Sequence, residues 1–129
     1  PANITDIAAV ATALGVKHVR TINPLNLAEV KEALDWGLGF TEPAVLITRW
    51  PCVLKKLSQA DKDEFGSDKA TNVVDPVKCI GCKLCIKTGC PALEYREDKK
   101  KVVIDAAQCV GCNVCSQVCP KNAIMREVR

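Results

Sequence analysis

The chain has 129 residues, enough for one ordinary domain or two small ones. Lys plus Arg number 18 against 15 Asp plus Glu, a formal charge of +3, and aromatic residues are 4%; neither balance suits a nucleic-acid surface built on charge and base stacking. No apolar run nears the roughly 20 residues that span a bilayer, and nine cysteines without a secretion signal predict a reducing, cytoplasmic setting.

Residues 1–54 read as an α/β segment. Thr5 or Asp6 caps a helix whose apolar stripe is Ile7, Val10, Ala11 and Leu14, and Gly15 ends it. Val16 to Ile22 reads as a strand, and Asn23-Pro24 turns the chain. Asn26 with Glu29 three residues on resembles a capping box. It opens a second helix with Leu27, Val30, Ala33 and Leu34 inward and Gly37 at its end. Ala44-Val45-Leu46-Ile47 is a continuous apolar strand, of the kind buried on both faces of a parallel sheet. Two short strands and two helices cannot bury both faces of such a sheet, so the segment is expected to be incomplete by itself. Gly37-Leu38-Gly39 lacks a third glycine and ends a helix, which argues against a dinucleotide site.

Residues 55–72 have linker composition: Lys55-Lys56, Ser58, Asp61, Asp63, Gly66, Ser67 and Asp68. Phe65 is expected to anchor this connector.

Residues 73–129 carry the chemistry. Cys79-Ile80-Gly81-Cys82-Lys83-Leu84-Cys85 is followed by Cys90-Pro91, and Cys109-Val110-Gly111-Cys112-Asn113-Val114-Cys115 by Cys119-Pro120. Three cysteines at every third position and then Cys-Pro, twice over, is a ligand set for two four-iron clusters. One tight loop supplies three thiolates to each. Gly81 and Gly111 let the backbone curl close to inorganic sulfur, where amides can donate hydrogen bonds. In the two-cluster arrangement the fourth ligand comes from the opposite motif. This assigns Cys79, Cys82, Cys85 and Cys119 to one cluster and Cys109, Cys112, Cys115 and Cys90 to the other. Each oxidised cluster with its thiolates adds about −2, bringing the loaded chain near −1. Zinc ribbons use paired C-x2-C units and disulfides suit small secreted domains, so both are poorer readings. The internal repeat of about 30 residues predicts two stacked halves. Leu93 to Arg96 and Lys101 to Ile104 are expected to form a hairpin across Glu97-Asp98-Lys99-Lys100, and Asn72 to Val74 to pair with Ile124 to Glu127.

With these motifs, residues 73–129 resemble a bacterial-type two-cluster ferredoxin domain. One departure is visible: four residues, Ile86 to Gly89, separate Cys85 from Cys90, where the second motif has three; Gly89 is expected to loop out. The runs Gly15 to Pro24 and Glu42 to Arg49 are similar to the last part of a thiamine-diphosphate-binding domain. The chain therefore resembles the C-terminal end of the alpha subunit of indolepyruvate ferredoxin oxidoreductase. That resemblance implies an α+β fold, a partial α/β segment followed by a pseudo-two-fold ferredoxin domain with two [4Fe-4S] clusters. It implies a share in the oxidative decarboxylation of aryl pyruvates to acyl-CoA. The partners it implies are the rest of the alpha subunit, a beta subunit and an external ferredoxin as acceptor. Thiamine diphosphate and magnesium belong to the full enzyme; no Gly-Asp motif followed by Asn stands in these residues to hold them.

The remaining polar residues have plainer expectations. Cys52 reads as a buried structural cysteine before a redox-sensing one. His18 reads as structural, and Tyr95 as packing near a cluster. Lys83, Lys87 and Lys99 to Lys101 form either a basic docking face or an ordinary solvated turn. A free-standing ferredoxin-like carrier with an N-terminal docking segment remains an alternative to the oxidoreductase end.

Overall fold

The computed structural model describes residues 5–52, 57–65 and 70–128. The chain divides into two units, Pro1–Trp50 and Pro51–Arg129.

In the first unit Asp6 caps α1 (Ile7–Ala13), its carboxylate accepting from the Ala9 amide at 3.0 Å. Gly15, at φ 91°, turns the chain out of the helix. β1 (His18–Ile22) follows, then α2 (Leu27–Leu38), capped by the Asn26 side chain on the Glu29 amide at 3.3 Å. β2 (Ala44–Thr48) returns parallel to β1, with His18 opposite Ala44 and Ile22 opposite Thr48. The helix between parallel strands is the crossover such pairing needs.

The core of this unit is thin. Ile22 and Ala33 are its buried apolar residues, and β2 is half-buried rather than enclosed. The expected inward stripes are covered in part: Ala33 is buried and Ala11, Leu27 and Val30 are half-buried, but Ile7, Val10 and Leu14 on α1 and Leu34 on α2 are exposed. Helical periodicity identifies an apolar side but not a neighbour to cover it. His18 is structural, as expected: its ring stacks on Phe40 at 3.6 Å, with Trp36 edge-on to both, and Nε2 meets Glu42 at 3.4 Å.

In the second unit the stretch expected to be a linker contains α3 (Gln59–Phe65). Ser58 and Asp61 cap it reciprocally: the Ser58 hydroxyl accepts from the Asp61 amide, and the Asp61 carboxylate accepts from the Ser58 amide. The expected anchoring by Phe65, and the residues Lys55-Lys56 and Gly66-Ser67-Asp68, lie outside what the structure describes.

The rest of the unit is two small antiparallel sheets. β3 (Ala70–Val74) pairs with β6 (Ile124–Val128), Val74 opposite Ile124. β4 (Leu93–Arg96) pairs with β5 (Lys101–Ile104), Leu93 opposite Ile104. A 3₁₀ turn (Ile86–Thr88) and α4 (Val114–Gln117) follow the two cysteine loops. Gly89 ends the 3₁₀ turn at φ 71° and faces open space. Around Cys79, Cys85 and Cys115 the core is Val102, Ala123 and Ile124, with Tyr95 and Leu93 against it.

Candidate iron–sulfur centres

The sheet pairing decides which cysteines meet. β3 runs into the loop that begins at Cys79, and its partner β6 follows Cys119. The Asp75 amide donates to the Ala123 carbonyl at 2.7 Å, tying the two segments together. β5 runs into the loop at Cys109, and its partner β4 follows Cys90. There the Asp105 amide donates to the Ala92 carbonyl at 2.8 Å. Each Cys-Pro segment is thereby carried to the other motif's loop.

Two cavities result. Cys79, Cys82, Cys85 and Cys119 line the first, with Val102, Ala123 and Pro120. Cys90, Cys109, Cys112 and Cys115 line the second, with Asn72, Ala92 and Ile104. All eight thiols are free. Among the described residues no three His, Cys, Asp or Glu side chains close on the single point one metal ion would need. Thiolates bound to four different irons stand farther apart than four on one ion.

The loops are built alike. The Asp75 carboxylate accepts from the Val77 and Lys78 amides and its carbonyl from the Cys79 amide, at 2.8, 3.3 and 3.0 Å. Asp105 does the same for Ala107 and Cys109, at 2.9 and 3.0 Å, and its carboxylate also takes the Gln108 side chain. Lys83 and Asn113, each following a middle cysteine, adopt positive φ of 61° and 65°. Gly81 and Gly111 sit at φ 67° and 66°, each with its α-carbon against a carbonyl, of Lys100 and of Ala70. A β-carbon at either place would overlap that oxygen.

Burial pushes the Cys85 and Cys115 thiols above their ordinary range, and neighbouring cysteines push the same way: Cys119 and Cys82 on Cys85; Cys112, Cys109 and Cys90 on Cys115. At Cys115 the Asn72 hydrogen bond acts in the opposite sense. Soft donors in fours, glycine loops closed to any larger residue and the buried Cys79, Cys85 and Cys115 fit thiolate-held iron–sulfur clusters.

Other groups lie where the spacing gave no hint. The Lys101 ammonium donates to the Cys79 carbonyl. The Asn72 amide donates to Cys109 Sγ at 3.3 Å, and its side-chain Nδ2 to Cys115 Sγ at 3.2 Å. The Ala123 amide donates to Cys119 Sγ at 3.3 Å. Lys83 lies 3.7 Å from the Tyr95 ring centroid and 3.5 Å from Glu97, so the lysines do not make an unbroken basic face. Cys52 is exposed, not buried as expected: Trp50-Pro51 leaves it on the surface rather than in a strand's core. No helix among the described residues is long and apolar enough to cross a membrane.

Residues 78–123 match the 4Fe-4S dicluster domain family. The chain is 35% identical over 118 residues to indolepyruvate oxidoreductase subunit IorA of Pyrococcus horikoshii, covering 91% of this chain and 18% of that protein. It is 34% identical over 115 residues to the IorA subunit of Thermococcus kodakarensis, covering 88% and 18%. The chain thus spans under a fifth of the length of these curated relatives. It is a small α+β chain with a 4Fe-4S dicluster domain of ferredoxin type, and it matches the C-terminal ferredoxin part of the indolepyruvate oxidoreductase subunit IorA.

Proposed function

We propose that the chain relays electrons through two [4Fe-4S] clusters as the C-terminal end of an indolepyruvate ferredoxin oxidoreductase. Cys79, Cys82, Cys85 and Cys119 hold one cluster, and Cys109, Cys112, Cys115 and Cys90 the other. The observation that carries this reading is the sorting of eight cysteines into two cavities of four, each drawing one member from the opposite motif. When bound, such a cluster supplies a one-electron carrier at low potential.

The chain's own residues do the rest. The cysteines provide the thiolates and exchange their protons for iron. Gly81 and Gly111 keep the loop backbone tight. Val102, Ala123 and Ile124 exclude water from the first site, which holds its potential low. The Asp75 and Asp105 carboxylates brace each loop where it leaves its strand.

Residues 73–129 make the ferredoxin domain, two halves about a pseudo-two-fold axis, in keeping with the repeat of about 30 residues. Residues 55–72 connect it to 1–54, the end of a thiamine-diphosphate-binding domain. The exposed apolar residues Ile7, Val10, Leu14, Leu34 and Leu38 favour cover by the rest of the alpha subunit or a beta subunit. Thiamine diphosphate and magnesium are held elsewhere in that cytoplasmic enzyme, which converts aryl pyruvates to acyl-CoA and passes electrons to an external ferredoxin.

The test is anaerobic reconstitution, which yields about eight irons and eight sulfides per chain. Half that content, or zinc without sulfide, refutes the ligand sets. In the assembled enzyme, indolepyruvate-dependent dye reduction disappears when Cys79 and Cys109 are replaced by alanine. A chain that reduces the dye undiminished after that change has no relay here.

A further inference from the structure

The two halves differ at one buried position. The repeat that aligns Cys79 with Cys109 and Asp75 with Asp105 aligns Asn72 with Val102. Val102 is 3% exposed and lines the first cavity; Asn72 is 2% exposed and lines the second. The first cavity thus meets an isopropyl group where the second meets an amide.

That amide is costly to bury. Its Nδ2 lies 3.2 Å from Cys115 Sγ, while Oδ1 has no hydrogen-bond partner among the described residues. A buried acceptor left unpaired destabilises the fold, and the equivalent strand position accepts valine. An iron-bound thiolate accepts hydrogen bonds and donates none, so it is Nδ2 and not Oδ1 that faces the sulfur. The backbone amide of the same residue donates to Cys109 Sγ at 3.3 Å. One residue therefore brings two donors to two sulfurs of the second site.

We infer that Asn72 is a positioning residue that sets the order of reduction, making the Cys90–Cys109–Cys112–Cys115 site the higher-potential of the two. Hydrogen bonds to cluster sulfur stabilise the extra negative charge of the reduced state and raise the potential. The first electron supplied by a reductant then rests at this site, and the apolar Val102 site is reduced second. The inference rests on the ligand sets proposed above.

The experiment is a potentiometric titration with dithionite of the anaerobically loaded chain, followed by electron paramagnetic resonance. The parent shows two one-electron waves. Asn72→Val lowers the upper wave by about tenfold in its reduction equilibrium, about 59 mV for one electron, and leaves the lower wave in place. Val102→Asn, which puts an amide at the first site, raises the lower wave. Unmoved waves in both variants, each still holding about eight irons, overturn the inference and leave the two-cluster reading standing. A shift of the lower wave by Asn72→Val overturns the assigned order. If Asn72→Val loads poorly, Val102→Asn decides, and an unshifted lower wave there overturns the inference. A parent chain with fewer than about eight irons sinks the ligand sets beneath it instead.

Discussion

The α-carbon of Gly111 lies so close to the carbonyl oxygen of Ala70 that a β-carbon there would overlap it, and Gly81 stands in the same relation to Lys100. The two glycines hold each cysteine loop close under backbone, Gly111 under the start of β3 and Gly81 under the β4–β5 turn. Their role is steric as well as conformational, because each also has positive φ. Gly89 separates the two effects: its φ is 71°, yet nothing lies within 4 Å of where its β-carbon would stand.

Alanine at the three glycines is therefore expected to give two classes of result. Gly89→Ala costs the left-handed conformation alone, about 1–2 kcal/mol. Gly81→Ala and Gly111→Ala pay that and add overpacking of about 1–3 kcal/mol as the loop is forced off the backbone above it. Denaturant midpoints of the loaded proteins, with iron retained after desalting, measure the difference. Equal losses at all three positions would show that the close approach does not matter.

Much of this site was legible because ligand spacing is a chemical constraint. Cysteines at every third residue with a following Cys-Pro leave little freedom, and the hairpin between Leu93 and Ile104 follows from alternation around a charged turn. The exposure of Ile7, Val10 and Leu34 was not legible, since they signal an apolar side and say nothing of what packs on it. α3 hid in polar composition, although Ser58 and Asp61 have capping-box spacing. Asn72 gives no signal in a short Ala-Thr-Asn-Val-Val strand; only comparison with Val102 across the repeat exposes it.

Crossing of the fourth ligands makes a prediction for double variants. Cys85→Ala with Cys119→Ala removes two thiolates from one site, so about four irons remain. Cys115→Ala with Cys119→Ala removes one from each, and both sites are impaired. Without crossing the two results exchange places. Iron and sulfide analysis after anaerobic loading distinguishes them.

Acid should weaken the loops through Asp75 and Asp105. The Val77 and Lys78 amides hold the Asp75 carboxyl below its ordinary value of 3.8, and the Gln108 side chain and Ala107 amide do so for Asp105. Both groups have lower pKa values folded than unfolded. Their stabilisation is complete above the ordinary value and is lost as pH falls through the lower folded one. The denaturation midpoint of the apo chain, measured down this range against Asp75→Ala with Asp105→Ala, gives a parent advantage that is constant near neutrality. The advantage shrinks below the ordinary carboxyl range. An advantage that stays constant throughout would mean the two carboxylates contribute nothing as anions.

Thiol labelling checks the ligand inventory without any variant. Nine cysteines are present, and Cys52 is exposed and lines neither cavity. Iron-bound thiolates resist alkylation while the metal stays in place. The loaded, oxygen-protected protein should therefore take a single alkyl group, located at Cys52 by peptide mass mapping. After acid stripping of the iron and unfolding in denaturant, label should appear at all nine. A loaded sample that is also labelled at Cys90 would place that residue outside its proposed cluster, and it is the sharpest place to look, since the extra residue Gly89 immediately precedes it.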